Sequence, residues 1–381
     1  MPSLAEIIQS YDPRAPLELA STIPAPWYTD ERVAELERTA IFGGTWQAAA
    51  RADQLEHAGD FVTTEIAGEP IVIVRGTDGA LRAFYNVCRH HAAAVVTEAS
   101  GQAANFRCPY HGWTYGIDGS LKGTPDFDGV CGFDRAQNGL VPARVNAWEN
   151  LAFVNLNADA EPLNSFLGQL IERVKPLKLA NLHFFERRSY ELNCNWKVYI
   201  DNYLDGGYHV PHLHKGLNSV LEYANYTIEN EDRYCLQSSP VKASTPGADA
   251  DAAATRQGDR AYYFWQYPNF MLNWYEGYLD TNLVMPLSVD RCRVIFDFYF
   301  AQTDDAAATY NRQSIAVSHR VQEEDVAICE AVQRGLHSRA YQAGRLSVRR
   351  EAGEQLFHRL LHADLSAALT RERGHSSAHA L

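Results

Sequence analysis

Two short cysteine–histidine pairs constrain this chain more than any other feature. Cys88-Arg89-His90 and Cys108-Pro109-Tyr110-His111 are separated by seventeen residues. Two thiols and two imidazoles that must converge on one point need two tight loops, and Pro109 and Gly112 suit such loops. Both loops leave segments that read as strands. Residues 61–66 and 71–75 are short β-branched runs, 81–87 reads as a third strand, and 112–115 and 151–155 as further ones. Gly68 and the stretch 77–79 supply turns, and Asp118-Gly119 a hairpin turn. Residues 45–157 are therefore expected to form a small antiparallel β domain.

The rest of the chain has another texture. With 381 residues, more than one core is expected. Residues 1–44 read as a helical lead-in, with helix-forming composition at 31–41 behind Pro24 and Pro26. Beyond 158 the pattern predicts helices at 165–177, 196–204 and 306–334 and strands at 184–192, 261–274, 281–285 and 292–301. The Ala-, Gly- and Asp-rich stretch 240–260 reads as an exposed loop. The expected fold class is α+β: an N-terminal antiparallel β domain, then a domain at 158–381 with an antiparallel sheet flanked by helices.

The net charge of −13 argues against a nucleic-acid surface. No stretch approaches the roughly 20 apolar residues that span a bilayer. The first fourteen residues contain Asp and Glu and lack a basic-then-apolar signal, so a cytoplasmic location is expected. Seven scattered cysteines do not resemble a disulfide framework and read better as thiols, some of them metal ligands.

A Rieske [2Fe–2S] centre needs two thiolates on one iron and two imidazoles on the other. Cys88, His90, Cys108 and His111 supply that set, one Cys and one His from each loop. Zinc also accepts two Cys and two His, but zinc fingers usually pair like with like, whereas each pair here is mixed. His91 adjoins His90 and is the competing ligand, disfavoured if side chains alternate there. With Gly112, Trp113, Thr114 and Tyr115 behind them, the two pairs resemble the Rieske domain of the ring-hydroxylating oxygenase alpha-subunit family.

A second constellation runs from Asn195 to His214. It holds three histidines, His209, His212 and His214, downstream of Asp201 and Asp205. Two His and one carboxylate with open positions make the facial triad of non-haem Fe(II) oxygenases. On a continuous helix His209 and His212 would share a face, but Pro211 is expected to break it. The resemblance implies His209 and His214 as the pair, and Asp325 on the late helix as the third ligand, with Glu323 and Glu324 as competitors. It also implies that Asp205 links His209 to a cluster histidine of a neighbouring subunit. Relatives place this acid three residues before the histidine; here Gly206 holds that position, and Asp201 is the alternative. Asn202 matches a family Asn near the iron.

The segments 201–214, 267–271, 280–286, 324–336 and 357–361 resemble the choline monooxygenase-like branch, and the likeness spans roughly residues 25–365. It implies the oxygenase component of an enzyme that hydroxylates a C–H bond with O₂, on a [2Fe–2S] cluster and a mononuclear Fe(II). Electrons from NAD(P)H would arrive through a separate reductase or ferredoxin, since no G-x-G-x-x-G follows a strand here. The implied substrate is a small quaternary ammonium compound such as choline or a betaine. Aromatic faces would hold it by cation–π attraction, and 262–278 is rich in them; Glu276 there is expected in solvent. The implied assembly is a head-to-tail homotrimer, with a hexamer as the other possibility. The rivals are an oxygenase or demethylase acting on an aromatic substrate, and an electron-transfer Rieske protein without oxygenase activity.

Overall fold

A computed structural model describes residues 2–242 and 249–378, so positions 243–248 of the expected loop lie outside the described residues. The chain folds into two compact units, Phe42–Phe166 and a larger one made of Met1–Ile41 with Leu167–Leu381. The leading segment is thus part of the larger unit. Its helices are α1 (Leu4–Gln9), α2 (Pro26–Thr29) and α3 (Glu31–Glu37). Glu37, on the last turn of α3, is buried. It accepts hydrogen bonds from Lys197 Nζ (2.6 Å) and Trp196 Nε1 (2.9 Å), which ties the segment to the unit's interior.

The smaller unit holds ten strands: β1 (Gln47–Arg51), β2 (Asp60–Ile66), β3 (Glu69–Arg75), β4 (Leu81–Tyr85), β5 (Ser100–Gln102), β6 (Asn105–Arg107), β7 (Thr114–Gly116), β8 (Leu121–Gly123), β9 (Pro142–Trp148) and β10 (Leu151–Asn155). Seven form an antiparallel sheet in the order β1-β10-β9-β4-β3-β2-β5, and β6-β7-β8 form a small second sheet. Strand β3 shows why. Its run Ile71-Val72-Ile73-Val74 is wholly buried, and side chains alternate across a strand. Ile71 and Ile73 pack with Val62, Ile66 and Ala83, while Val72 and Val74 join Phe84, Phe106, Trp113 and Tyr115. Cys88 and Cys108 belong to this second core, so the β sheet itself forms the floor beneath both cysteine loops.

The expected helix at 165–177, where the chain passes from the smaller unit into the larger, is broken into α4 (Leu163–Leu167) and α5 (Leu170–Val174) by Gly168, whose φ is +53°. One antiparallel sheet, ordered β11-β17-β16-β15-β14-β13-β12, is the frame of the larger unit. Its strands are β11 (His183–Leu192), β12 (Thr227–Asn230), β13 (Tyr234–Pro240), β14 (Arg260–Gln266), β15 (Phe270–Tyr275), β16 (Tyr278–Ser288) and β17 (Arg291–Phe300). The helices are α6 (Trp196–Leu204), α7 (Val210–Leu213), α8 (Lys215–Val220), α9 (Ala250–Thr255), α10 (Ala308–Leu336) and α11 (Ala352–Ala378). Two differ from expectation. Helix α9 replaces part of the expected exposed loop: Asp249 caps it by accepting from Ala252 N–H (2.8 Å), and Ala252, Thr255 and Arg256 are buried. Helix α11 follows a segment with no strong sequence signal.

Candidate metal centres

The two cysteine loops of the smaller unit are built alike. Cys88 N–H donates to Ala93 O (2.8 Å) and Ala92 N–H to Cys88 O (2.9 Å). Cys108 N–H donates to Trp113 O (2.8 Å) and Gly112 N–H to Cys108 O (3.1 Å). The fourth residue after each cysteine, Ala92 or Gly112, has a left-handed φ of +60° or +71°, which turns the chain back on itself. Both thiols are buried and free. Burial pushes the Cys108 thiol up, against the backbone N–H groups of Tyr110 and His111 directed at its sulfur. The Tyr115 hydroxyl accepts from Arg89 N–H (2.9 Å) and lies 3.4 Å from Cys88 Sγ. The sequence reading gave Tyr115 no such contact.

The His90 ring stacks on Trp113 at 4.7 Å and sits 4.7 Å from the ring of His111. His90 Nδ1 is buried with no hydrogen-bond partner, an arrangement that fits a nitrogen meant for a metal. His91 does not point away as strict alternation would have it, because residues 90–91 lie in a turn. Its ring centroid is 4.1 Å from that of His90, and the three histidines can offer atoms within 4.8 Å of one another. His91 and His111 are both exposed and neither has a buried orphan nitrogen, so burial singles out His90 alone, and His111 is favoured by its matching place in the second cysteine loop. The donor set of two buried thiols with His90 and His111 fits the Rieske cluster.

In the larger unit the second constellation converges. Helix α6 ends at Asp205, and Gly206 and Gly207 follow with φ of +68° and +67°. A Cβ on Gly206 would stand 2.1 Å from Arg350 O, so only glycine fits. This reversal presents His209. Pro211 lies in the first turn of α7, where its missing N–H costs nothing, so it starts a helix rather than breaking one. His214 is carried just past the end of α7. His209, His214 and Asp325 offer ligand atoms within 4.8 Å of one another. His214 Nε2 lies 3.1 Å and His209 Nε2 3.9 Å from Asp325 Oδ1. His212 is exposed and outside this group.

The outer nitrogens are anchored. His209 Nδ1 meets Asp205 Oδ2 at 2.6 Å, and His214 Nδ1 meets Glu324 Oε2 at 2.6 Å. A carboxylate on Nδ1 leaves Nε2 as the free ligand atom, the usual support of a metal-binding histidine. Glu324 therefore positions His214, whereas the sequence reading saw only a rival ligand or a solvated acid. Glu323 is exposed. Glu330, also read as solvated, accepts from Asn193 N–H and Nδ2. Asn202 Nδ2 donates to Asp325 Oδ1 (2.8 Å). The four-residue offset of Asp205 does not prevent its contact, because the double-glycine turn absorbs the extra residue. Asp201 faces elsewhere, bound to Tyr28 Oη (2.5 Å) and His358 Nε2 (3.0 Å). Burial disfavours a charged His214 ring, but the hydrogen bond and charge of Asp325, with Glu324 behind, outweigh it and raise its pKa above the ordinary value.

The triad opens on a cavity. Helix α6 contributes Tyr199, Asn202 and Tyr203, and α10 contributes Ser318, Val321 and Gln322 beside Asp325. The sheet supplies a cross-strand row, Gln237–Tyr263–Asn273–Asp280, in register on β13, β14, β15 and β16. Of the aromatic run at 262–278, Tyr263 and Tyr275 face the cavity, while Phe264, Trp265 and Tyr267 fill the core. Glu276 is exposed, as expected. Asp280 is buried and accepts from Tyr278 Oη (2.5 Å), Asn273 Nδ2 (2.6 Å) and Asn282 Nδ2 (2.8 Å). Tyr203, Tyr226 and Arg256 are cavity residues that the sequence reading did not single out.

Comparison with known proteins agrees with this geometry. Residues 45–134 match the Rieske [2Fe-2S] domain, and residues 179–367 match the ring hydroxylating alpha subunit (catalytic domain). The chain is 37% identical over 375 residues to the chloroplastic choline monooxygenase of Arabidopsis thaliana, covering 95% of this chain and 87% of that protein. It is 32% identical over 337 residues to the carnitine monooxygenase oxygenase subunit of Acinetobacter pittii, covering 85% and 87%. Among solved structures, the quaternary ammonium Rieske monooxygenase CntA in complex with L-carnitine superposes with a TM-score of 0.80 at 28% identity, over 91% of this chain and 96% of that one. Naphthalene 1,2-dioxygenase from Rhodococcus shares the fold, with a TM-score of 0.73 at 21% identity over 91% and 94%. The chain belongs to the Rieske non-haem iron ring-hydroxylating oxygenases, in the branch that contains the choline and carnitine monooxygenases.

Proposed function

We propose that this chain is the oxygenase component of a monooxygenase that hydroxylates a C–H bond of a small quaternary ammonium compound, with Cys88, His90, Cys108 and His111 holding the [2Fe–2S] cluster and His209, His214 and Asp325 the catalytic iron. One observation carries the reading: the two-histidine, one-carboxylate set opens on a cavity lined by Tyr203, Tyr226, Tyr263 and Tyr275 with the buried Asp280 among them. A quaternary ammonium cannot donate hydrogen bonds, so aromatic faces and a carboxylate are the groups that recognise it. The names of the choline and carnitine monooxygenases support the same class.

When bound, the iron activates O₂ with electrons stored by the cluster, so that one oxygen atom enters the C–H bond and the other leaves as water with two electrons and two protons. The chain's residues do the rest. Asp205 and Glu324 fix the tautomers and ring planes of the two histidines, and Asn202 orients Asp325. The tyrosines and Phe296 exclude water from the cavity. Asp205, on the outer nitrogen of His209, is the natural place for an electron to arrive from the cluster of a neighbouring subunit. That route calls for a head-to-tail homotrimer and a separate reductase or ferredoxin. Inter-subunit electron transfer is described for a quaternary ammonium Rieske monooxygenase of this fold.

The test is O₂ uptake with a surrogate reductase across choline, glycine betaine, carnitine and small aromatics, with aldehyde or formaldehyde measured as product. Uptake driven by a quaternary ammonium compound is expected; uptake driven only by aromatics would overturn the substrate class. Replacing His214 with Ala should abolish turnover and leave the visible spectrum of the cluster unchanged. Loss of that spectrum instead would refute the division of ligands.

A further inference from the structure

The reaction cavity contains a cation of its own. Arg256 directly follows α9, is 4% exposed, and lines the cavity together with His209, His214 and Asp325. Its terminal nitrogens donate to Ser314 Oγ (2.7 Å), Ser318 Oγ (2.7 Å), Ser314 O (3.2 Å) and, at longer range, Thr255 Oγ1 (3.4 Å). Its guanidinium lies 4.6 Å from the ring centre of Tyr278 and 5.2 Å from that of Tyr275. Every one of these partners is neutral. Among the described residues no carboxylate lies within 4.0 Å of it, and segment 243–248 contains no Asp or Glu.

Of the two carboxylates that line the cavity, Asp325 belongs to the triad, and Asp280, whose charge does act on Arg256, is hydrogen-bonded elsewhere. Asp280 takes three donors, and its hydrogen bonds reach Arg256 only through a chain from Tyr278 Oη to Ser318 Oγ (2.7 Å). A buried guanidinium without a facing anion is costly, and a planar two-pronged donor is suited to a carboxylate. The cavity thus carries an anion-seeking group on one side and tyrosine faces with a fixed carboxylate on another. Ser318 stands seven residues before Asp325 on α10, so the guanidinium sits roughly 10 Å along the helix from the triad, at 1.5 Å per residue. A small zwitterion fits that separation.

We propose that Arg256 anchors a substrate carboxylate, so that the substrate is a betaine, a quaternary ammonium compound bearing a carboxylate, rather than choline. This rests on the quaternary ammonium reading above and narrows it. Carboxylate against guanidinium orients the zwitterion with its ammonium end, and the N-methyl or N-methylene C–H bonds there, toward the triad. Tyr275 and Tyr278 hold the guanidinium plane from its face, and the substrate carboxylate takes the place of the Ser314 and Ser318 hydroxyls on its terminal nitrogens.

The test compares compounds that differ only in the carboxylate: glycine betaine against its methyl ester and choline, and γ-butyrobetaine against its methyl ester, with turnover followed as O₂ uptake by wild-type holoenzyme. The carboxylate forms should have kcat/KM about 100-fold higher than their esters, since a site built to pair a charged group rejects the analogue that lacks it. Arg256→Gln should lose this discrimination chiefly through a raised KM for the carboxylate forms, and Arg256→Lys should recover part of it. Equal kcat/KM for acid and ester in the wild type would overturn the proposal and leave the quaternary ammonium reading standing. Turnover of aromatics alone would overturn both. The wild-type comparison needs no variant, so a poorly folding Arg256→Gln would not obscure the answer.

Discussion

At the scale of single residues, the structure separates the groups that converge on one point, His209, His214 and Asp325, from the groups that hold them from behind. Glu324 is the sharpest case. Its sequence context, Glu323-Glu324-Asp325, does not say which acid faces inward, because helical phase near three consecutive acids is ambiguous. The fold decides: Asp325 is buried beside both histidines, and Glu324 reaches the back of His214. Glu324→Gln should keep the fold and the cluster spectrum and weaken iron binding by about 10–100-fold, as loss of a histidine's supporting carboxylate usually does; equilibrium competition with a chelator would measure it. Proton competition follows from the same contacts. The folded pKa of His214 is raised, so the metal-free protein keeps that proton to higher pH than a free imidazole would. The proton stabilises the metal-free fold at low pH, and that contribution is lost as pH rises through the raised value. Iron must displace it, so affinity should climb as pH rises through and beyond the ordinary imidazole range. A pH-independent iron affinity would contradict this. The histidine cluster was legible because ligand chemistry gathers such residues at short spacing, whereas the choice of His209 with His214, and of Asp325 far along the chain, came from the family resemblance. Arg256, Tyr203 and Tyr226 were not legible, because tertiary packing alone brings them to the cavity.

At the scale of elements, α3, α6 and α10 are the parts on which the site depends. Helix α6 emerged from the sequence with its observed limits, since Asn195 caps it by accepting from Lys197 N–H (3.0 Å) and the double glycine ends it. Helix α9 did not, because alanine- and aspartate-rich composition serves an exposed loop as readily as a helix. No periodic reading of the first forty residues could reveal that α3 inserts Glu37 beside Lys197. The Lys197 side chain is 0% and that of Glu37 2% exposed. Burial drives the Lys197 pKa down, while the charge of Glu37 opposes the shift. Removing one member of such a pair leaves a buried charge without its partner, at a cost of about 3–5 kcal/mol. Glu37→Ala should therefore lower the unfolding free energy of the larger unit by that order, with a lower denaturation midpoint, and loosen α6, which bears Asn202 and is followed by Asp205. An unchanged midpoint in chemical denaturation followed by far-UV circular dichroism would show that α3 does not brace α6.

At the scale of the whole molecule, the two proposed ligand sets fall in two compact units of one chain, Cys88, His90, Cys108 and His111 in the smaller and His209, His214 and Asp325 in the larger. A cluster and an iron each built within its own unit can be separated by mutation without destroying either. That permits a decisive experiment on the electron route. Cys108→Ser removes a cluster ligand and His214→Ala removes an iron ligand, so a chain carrying either change should be inactive alone. If electrons stay within a chain, mixing the two variants restores nothing, because no chain carries both centres. If they cross through Asp205 between neighbours in a ring, an iron-bearing chain becomes active whenever its donor neighbour carries a cluster. In a random equal mixture this holds for about one chain in four, because a cyclic assembly gives each subunit one donor neighbour. Co-expressed and purified by two different tags, which leaves only mixed trimers, the oligomers should thus recover about a third of wild-type activity per chain, because each mixed three-membered ring holds one such pair. Introducing Asp205→Asn into the Cys108→Ser partner, which carries the working iron, should remove the recovered activity, whereas the same change in the His214→Ala partner should not. Recovery that ignored which partner carried Asp205→Asn would rule out this residue as the crossing point.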